Sequence, residues 1–305
     1  MKKKIPMKNI NLPGIAFFAC DRSIFLKKNL EKLIQNHNSS DYDIYFFCDG
    51  IRDNSNPKKF LEVRNIIKKV KHFNSKKIIF RKKNIGIAEN ILQGLTEVFK
   101  QKKSVIIIED DVLVSRNYLN YMRDALDFYK NDKLIGTISG YSWIDIGKLS
   151  SKDTYLSQRH PSWGWGTWSH VWNKMRWDKK WILKKMNNKN FKKDFNKSGK
   201  DMYNKLNNQL NGISDALDIF VNLNCFIMNK FSVCPRKSFY YNIGMDGSGV
   251  HMTQNNKLFN NFSKNFTVKK FQKIHVEKKI IKKIEKSFTI SIHIRVYNKL
   301  KRIFS

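Results

Sequence analysis

Acidic residues are scarce. Aspartate and glutamate number 25 in a chain of 305 residues, against 59 lysines and arginines, so the formal net charge is +34. Cysteine is scarce as well. Cys20, Cys48, Cys225 and Cys234 form no CxxC pair and no metal-ligand spacing. That excludes a disulfide-stapled scaffold and a structural zinc site, and predicts buried free thiols in a reducing compartment. No apolar run approaches the roughly 18–20 residues of a membrane-spanning helix. The strongest runs, residues 15–20 and 105–108, are strand-sized. Three lysines at positions 2–4 ahead of residues 15–20 hint at a leader peptide, but Asn11, Pro13 and Gly14 intervene. The run is therefore read as a first strand, and the protein is expected to be cytoplasmic. Marks of other enzyme classes are missing too: no GxxxxGK[ST] loop, no HExxH, no GxSxG elbow, and no GxGxxG after a strand.

Apolar residues make up 41% of the chain and aromatics 13%, enough for a buried core. The positive charge raises a nucleic-acid-binding reading. The bases, however, are 48 lysines and only 11 arginines. Arginine is the residue that reads phosphates and bases by bidentate geometry. A lysine surplus spread along the chain also fits drift in an AT-rich coding sequence.

Short β-branched or aromatic runs alternate with helical patterns through the first half. Strands are predicted over residues 14–20, 42–48, 77–80, 105–108 and 134–139, and helices over 23–35, 57–70, 88–99 and 115–129, the last N-capped by Ser115. This alternation predicts a mostly parallel α/β sheet flanked by helices, with ligands at the carboxyl ends of the strands. Those ends read Cys20-Asp21-Arg22, Cys48-Asp49-Gly50, residues 81–86, and Glu109-Asp110-Asp111. The scarce acids gather there. Residues 141–182 are rich in tryptophan and glycine. Residues 183–211 form a lysine- and asparagine-rich stretch, expected as an exposed loop or helical excursion. A late apolar helix is predicted over 215–229 and a short strand over 231–233. Three regions are expected: a first half over 1–140, a second half over 141–262, and a basic tail over 263–305.

The sharpest feature is the Glu109-Asp110-Asp111 run that ends a buried hydrophobic strand. Adjacent carboxylates repel, and such a cluster is costly unless a cation offsets it. Oxygen-only donors suit Mg²⁺ or Mn²⁺, which typically bind one or two carboxylates plus substrate phosphates. The plainer reading is an acidic turn capping the next helix.

Several ordered blocks carry a resemblance. They are residues 19–22, 47–50 and 84–90, Glu109-Asp110-Asp111, the Ser162-Trp163-Gly164-Trp165-Gly166-Thr167-Trp168 run, and residues 242–251. Together they span about residues 12–252. With them the chain resembles nucleotide-sugar glycosyltransferases of the GT-A fold, family-2-like bacterial sugar transferases in particular. Its acidic run is similar to that of N-glycan-type N-acetylglucosaminyltransferases. The resemblance implies a GT-A fold with a C-terminal acceptor-side region, in which residues 1–140 bind the nucleotide sugar and residues 141–262 bind the acceptor and carry the catalytic base. It implies that Asp111 ligates Mn²⁺ or Mg²⁺, Glu109 meets the ribose, and Asp110 faces the donor sugar or supports the turn. Asp49 falls where such folds receive the nucleotide base, although Asp-Gly is also a common turn pair. Asp21, Arg22, Asn84 and Gly86 are expected at the same edge, Arg22 either as a phosphate or base contact or as a surface residue at the start of a helix.

Inverting transfer needs a general base. Asp218 is the best match and Asp215 the alternative. A plainer reading of Asp215 is that it favours the N-terminus of its own late helix through the dipole. Most tryptophans are expected in the core, with Trp163 or Trp165 facing a sugar. His251, after glycines 247 and 249, is a candidate for approaching the metal. The expected activity is transfer of a sugar, hexosyl or N-acetylhexosaminyl, from a UDP-sugar or similar donor to lipooligosaccharide, capsule or a lipid-linked oligosaccharide, with no nucleic-acid partner. The tail, patterned over 278–302 as a basic amphipathic helix, is a candidate for resting on an anionic inner-membrane surface. The alternatives are a non-catalytic nucleic-acid-binding α/β protein and another metal-dependent nucleotide enzyme such as a nucleotidyltransferase.

Overall fold

The computed structural model describes residues 11–52, 56–243 and 261–288. The chain opens with strand–helix alternations. β1 (Gly14–Ala19) leads to α1 (Ser23–Ile34), β2 (Asp43–Cys48) to α2 (Pro57–Lys69), and β3 (Ser75–Phe80) to α3 (Ile87–Val98). β4 (Ser104–Glu109) is followed by the short β5 (Val112–Val114), α4 (Tyr118–Tyr129) and β6 (Ile135–Ser139). β7 (Thr154–Ser157) and β8 (Trp165–Trp168) come next, then four short helices: α5 (Ser169–Trp172), α6 (Lys179–Met186), α7 (Phe191–Phe195) and α8 (Met202–Leu210). The late elements are α9 (Asp218–Ile227), β9 (Phe231–Pro235), β10 (Tyr240–Asn242) and α10 (Lys278–Ser287).

Local chemistry explains the boundaries. Every residue of β1 is buried, as expected of a strand covered on both faces. Pro57 opens α2 with its φ already helical, and the Asn56 side chain accepts from Lys58 N at 2.9 Å. Asp178 caps α6 in the same way, accepting from Trp181 N at 2.9 Å. Ser115 is not the cap of α4. β5 pairs with β10 through Val114, so the helix starts later, at Tyr118, and Ser115 N donates to Phe239 O.

The main sheet runs β3-β2-β1-β4-β8-β6-β9-β7. The β3–β2, β2–β1, β1–β4 and β6–β9 pairs are parallel, whereas β8 is antiparallel to both neighbours and β7 antiparallel to β9. The expected α/β class, a mostly parallel central sheet flanked by helices, is the observed one. β8 was not legible in the sequence. It wedges between β4 and β6, and Gly166 makes that fit, since a Cβ there would lie 2.7 Å from Val105 O. The sheet takes strands from both sides of residue 140, and one core runs through them.

Residues 179–210 are a helical excursion rather than a loop. They bury Ile182, Phe191, Phe195, Met202 and Leu206 against Ile219 and Leu223 of α9. The tail packs on the core through α10. Ile274 joins the main core, and α10 turns Ile280 and Ile284 onto Ile144, Ile146, Tyr155 and Cys234. The amphipathic pattern expected for a membrane is thus spent on the protein core over 278–287, while residues 289–305 lie outside the described residues. No helix among the described residues is long and apolar enough to cross a membrane. All four cysteines are free thiols.

Candidate active site

Parallel strands β2, β1 and β4 end side by side, and the acids follow them. Register places Phe18 opposite Glu109 and Ala19 opposite Cys48, so the residues after each strand share one edge. Asp21 and Arg22 follow β1, Asp49 follows β2, and Glu109 closes β4. Asn29, on the otherwise apolar face of α1 with Leu26, Leu30 and Leu33, donates to Glu109 O at 2.7 Å and holds the end of β4.

Two further bonds shape the acidic turn. Cys20 N donates to Asp110 Oδ2 at 3.2 Å. Ile243 N donates to Asp111 O at 2.9 Å, and β10 pairs with β5 just beyond. The start of the 242–251 block therefore abuts the acidic turn. Residues 244–251, with His251, lie outside the described residues. Tyr240, buried in β10, senses the charges of Glu109 and Asp111. Asn29 and Tyr240 were not singled out from the sequence. A polar residue on the apolar stripe of α1 was the available signal for the first.

The electrostatics are those of a cation-poor cluster. Burial first, then Asp111 and Asp110, pushes the Glu109 carboxyl up to about 8. Burial and Asp111 push Asp110 up to about 7. Arg22 supplies the offsetting charge, with Nη1 at 2.7 Å from Asp111 Oδ2 and 3.9 Å from Asp110 Oδ1. Arg22 thus faces the carboxylates directly. Asp218, the first residue of α9, also raises Glu109, so its charge reaches the same edge.

Donor chemistry fits a hard divalent ion: only carboxylate oxygens, part-buried and short of positive charge. Among the described residues no three acidic, imidazole or thiol groups already form a ligand set. The protein side of such a site is then one or two carboxylates, with Asp111 the most exposed of the pair that faces Arg22.

The neighbouring loop is built from backbone donors. Asp49 Oδ1 accepts from Gly50 N at 2.8 Å and Ile85 N at 3.0 Å, and Oδ2 from Gly86 N at 3.1 Å. Asn84 Nδ2 donates to Gly50 O at 2.9 Å. Asp49, Asn84 and Gly86 are therefore brought together, with Asp49 organising the loop. Asp215 joins them, accepting from Ile87 N and Ala88 N at 2.7 and 3.1 Å.

The tryptophan candidates separate. Trp165 is a core residue, 3% exposed, with its ring against His160; it sits in β8 and has no face to offer a sugar. Trp163 is half-buried in an aromatic cluster, 4.9 Å from Tyr141 and 5.6 Å from Trp143 by ring centroids. A groove of about 450 Å³ beside α3, lined by Phe47, Arg81, Glu89 and Gln93 among others, includes none of the edge acids.

Known proteins give the frame. The chain is 27% identical over 196 residues to the alpha-1,3-mannosyl-glycoprotein 2-beta-N-acetylglucosaminyltransferase of Arabidopsis thaliana, covering 58% of this chain and 43% of that protein. It thus spans less than half the length of that relative. Among solved structures, a mannosyltransferase from Pyrobaculum calidifontis, in complex with GDP-Man and Mn²⁺, aligns at TM-score 0.36 and 10% identity, over 52% of this chain and 45% of that one. TarS of S. aureus aligns at TM-score 0.42 and 10% identity, over 75% and 36%. The family model described as GNT-I matches residues 2–200, from the first strand through the acidic turn and β8 into the helical excursion. The likeness to nucleotide-sugar glycosyltransferases drawn from the sequence therefore holds, and the chain belongs to the GNT-I family.

Proposed function

We propose that this protein is a metal-dependent, inverting glycosyltransferase that takes a sugar from a nucleoside diphosphate donor, UDP-linked, and delivers it to a glycan hydroxyl. The observation that carries this reading is the part-buried Glu109-Asp110-Asp111 edge, strained by its own charge, to which the charge of Asp218 adds. The name of the Arabidopsis thaliana relative favours an N-acetylhexosamine donor over a plain hexose.

Each residue then has a task. Asp111 holds a Mn²⁺ or Mg²⁺ ion, with Glu109 toward the ribose and Asp110 supporting the turn through Cys20 N. A bound divalent ion would supply charge neutralisation at the leaving diphosphate. Arg22 adds a second positive group at the same place. Asp49 fixes the 84–86 loop, which carries the base end of the nucleotide. Asp218 takes the proton from the attacking hydroxyl of the acceptor. Trp163 is the remaining aromatic candidate for a sugar face.

Acceptors are proposed as cell-surface glycans, lipid-linked or lipooligosaccharide. Exposed lysines of the helical excursion and of α10 favour an anionic bilayer as the resting surface. That contact would be electrostatic, because Ile280 and Ile284 face the core. Liposome flotation should accordingly weaken steeply with salt.

The test is a panel of nucleotide sugars scored by release of nucleoside diphosphate with Mn²⁺ present. Release is expected with one donor class, lost in EDTA, and lost in Asp111→Ala and Asp218→Asn. Full metal-dependent release by Asp111→Ala would remove the site assignment. Pyrophosphate release in place of nucleoside diphosphate would point to nucleotidyl transfer.

A further inference from the structure

Four consecutive backbone N–H groups, those of residues 85–88, are taken by two carboxylates. Asp49 takes Ile85 and Gly86, and Asp215 takes Ile87 and Ala88. α3 has no cap of its own. Its N-cap residue is Gly86, at φ 83°, which offers no side chain. The first N–H groups of a helix need acceptors from somewhere, and here a carboxylate arrives from a distant part of the chain. The approach is tight: a Cβ on Gly86 would lie 2.5 Å from Asp215 Oδ2.

An ordinary cap is local and fixes only its own helix. A cap supplied from far along the chain also fixes the two segments relative to one another. Asp215 lies three residues before Asp218, with the buried Leu217 between. On its other side the segment is held by Gln209 Oε1, which accepts from Ala216 N at 2.8 Å and from Ser214 Oγ at 3.2 Å. The start of α9 is therefore pinned at Gln209 and at the N-terminus of α3. With both its oxygens engaged by backbone, Asp215 is an anchor, not the base.

We propose that Asp215 is a positioning residue: its clasp on α3 ties the nucleotide-side loop to the start of α9 and holds Asp218 at the acidic edge. The proposal rests on the reading of Asp218 as base. It gives the two sides of the reaction, donor loop and acceptor base, one shared mechanical joint.

Hydrogen exchange and steady-state kinetics on the full chain test it, with Asp215→Ala and Asp215→Asn. The alanine variant should exchange faster at the amides of 85–90 and in the 213–222 segment, with its thermal midpoint lowered by only about 2–4 °C, the scale of losing one cap. Its kcat should fall by about 100-fold, the scale of a misplacement near 1 Å, while the donor KM stays within about twofold. The asparagine variant keeps one acceptor oxygen and should recover part of kcat. Unchanged exchange at both segments overturns the clasp. Faster exchange with wild-type kcat, or an effect confined to donor KM, overturns the positioning role. Failure of the underlying reading shows separately, as no metal-dependent release of nucleoside diphosphate by the wild-type protein with any donor. The exchange result decides the clasp in either case.

Discussion

Arg159 ties three remote segments together, and its removal has a calculable cost. The residue is 4% exposed and donates to both oxygens of Asp201, Nη1 at 2.7 Å and Nη2 at 2.9 Å. Its guanidinium also lies 3.7 Å from the ring centroid of Phe288. The loop before β8, the segment before α8 and the residue after α10 thus meet at one side chain. In Arg159→Met the apolar stem is kept and the charge is lost. Removing one partner of a buried pair costs about 3–5 kcal/mol. The Asp201 side chain is 20% exposed, so it regains some hydration and the lower end, about 3 kcal/mol, applies. The lost ring contact adds about 1 kcal/mol. At roughly 2 °C per kcal/mol for a chain of this size, the thermal midpoint should fall by about 8 °C.

The pH dependence has a defined sign. Burial alone would raise the Asp201 carboxyl, but the Arg159 bonds and charge outweigh it and hold the group below its ordinary value. Its contribution is then present above the unfolded value, about 3.9, and is lost as pH falls through the lower folded value. The difference between wild type and Arg159→Met should therefore shrink below about pH 4. A second variant, Arg159→Met with Asp201→Leu, should recover much of the loss, because no buried charge is left unpaired. Urea titration followed by circular dichroism reads all three. A loss under about 1 kcal/mol at neutral pH, or a double variant no more stable than Arg159→Met, would refute the reasoning.

Other outcomes follow from the same geometry. In EDTA, raising the pH from 5 to 8 should lower the thermal midpoint, since Glu109 and Asp110 are raised by burial to about 8 and 7 and the folded state there holds more protons than the unfolded one. Glu109→Gln should flatten that slope, and Mn²⁺ should flatten it in the wild type; a slope unaffected by either would count against the charge argument. Gly166→Ala should cost about 2 kcal/mol or more by forcing β8 away from β4, read by urea titration. Cys48 and Cys225, whose thiols burial pushes up to about 12, should resist a thiol reagent in the native protein and react in urea.

The first half of the fold was legible because its periodicity is strong and local. The apolar run 105–108 and the helical spacing over 88–99 correspond to β4 (Ser104–Glu109) and α3 (Ile87–Val98). β8 was hidden because Trp-Gly-Thr-Trp has no alternation, and its strand conformation comes from the fit between β4 and β6. The pattern in α10 was legible but its partner was not, since an apolar stripe looks the same whether it faces a bilayer or Tyr155 and Cys234. Asp215 makes the same point at the site. Its preference for a helix N-terminus could be read from the sequence, yet the helix it serves is α3, not the α9 that follows it. Local chemistry names the acceptor; only the fold names the donor.

The net charge of +34 also changes meaning once placed in space. Lysines 179, 180, 184, 185, 192 and 193 are exposed on the helical excursion, and lysines 278, 279, 282, 283 and 286 on α10. Charges beyond about 8–10 Å are largely screened at physiological salt. Those lysines are not among the charges that chiefly shift Glu109 and Asp110, which are raised despite the surplus. In a strongly cationic protein the acidic edge is still short of positive charge, with Arg22 alone bonded to it among the described basic residues. Under the proposed function, a divalent cation from solution would supply at Asp111 the charge that fixed side chains do not.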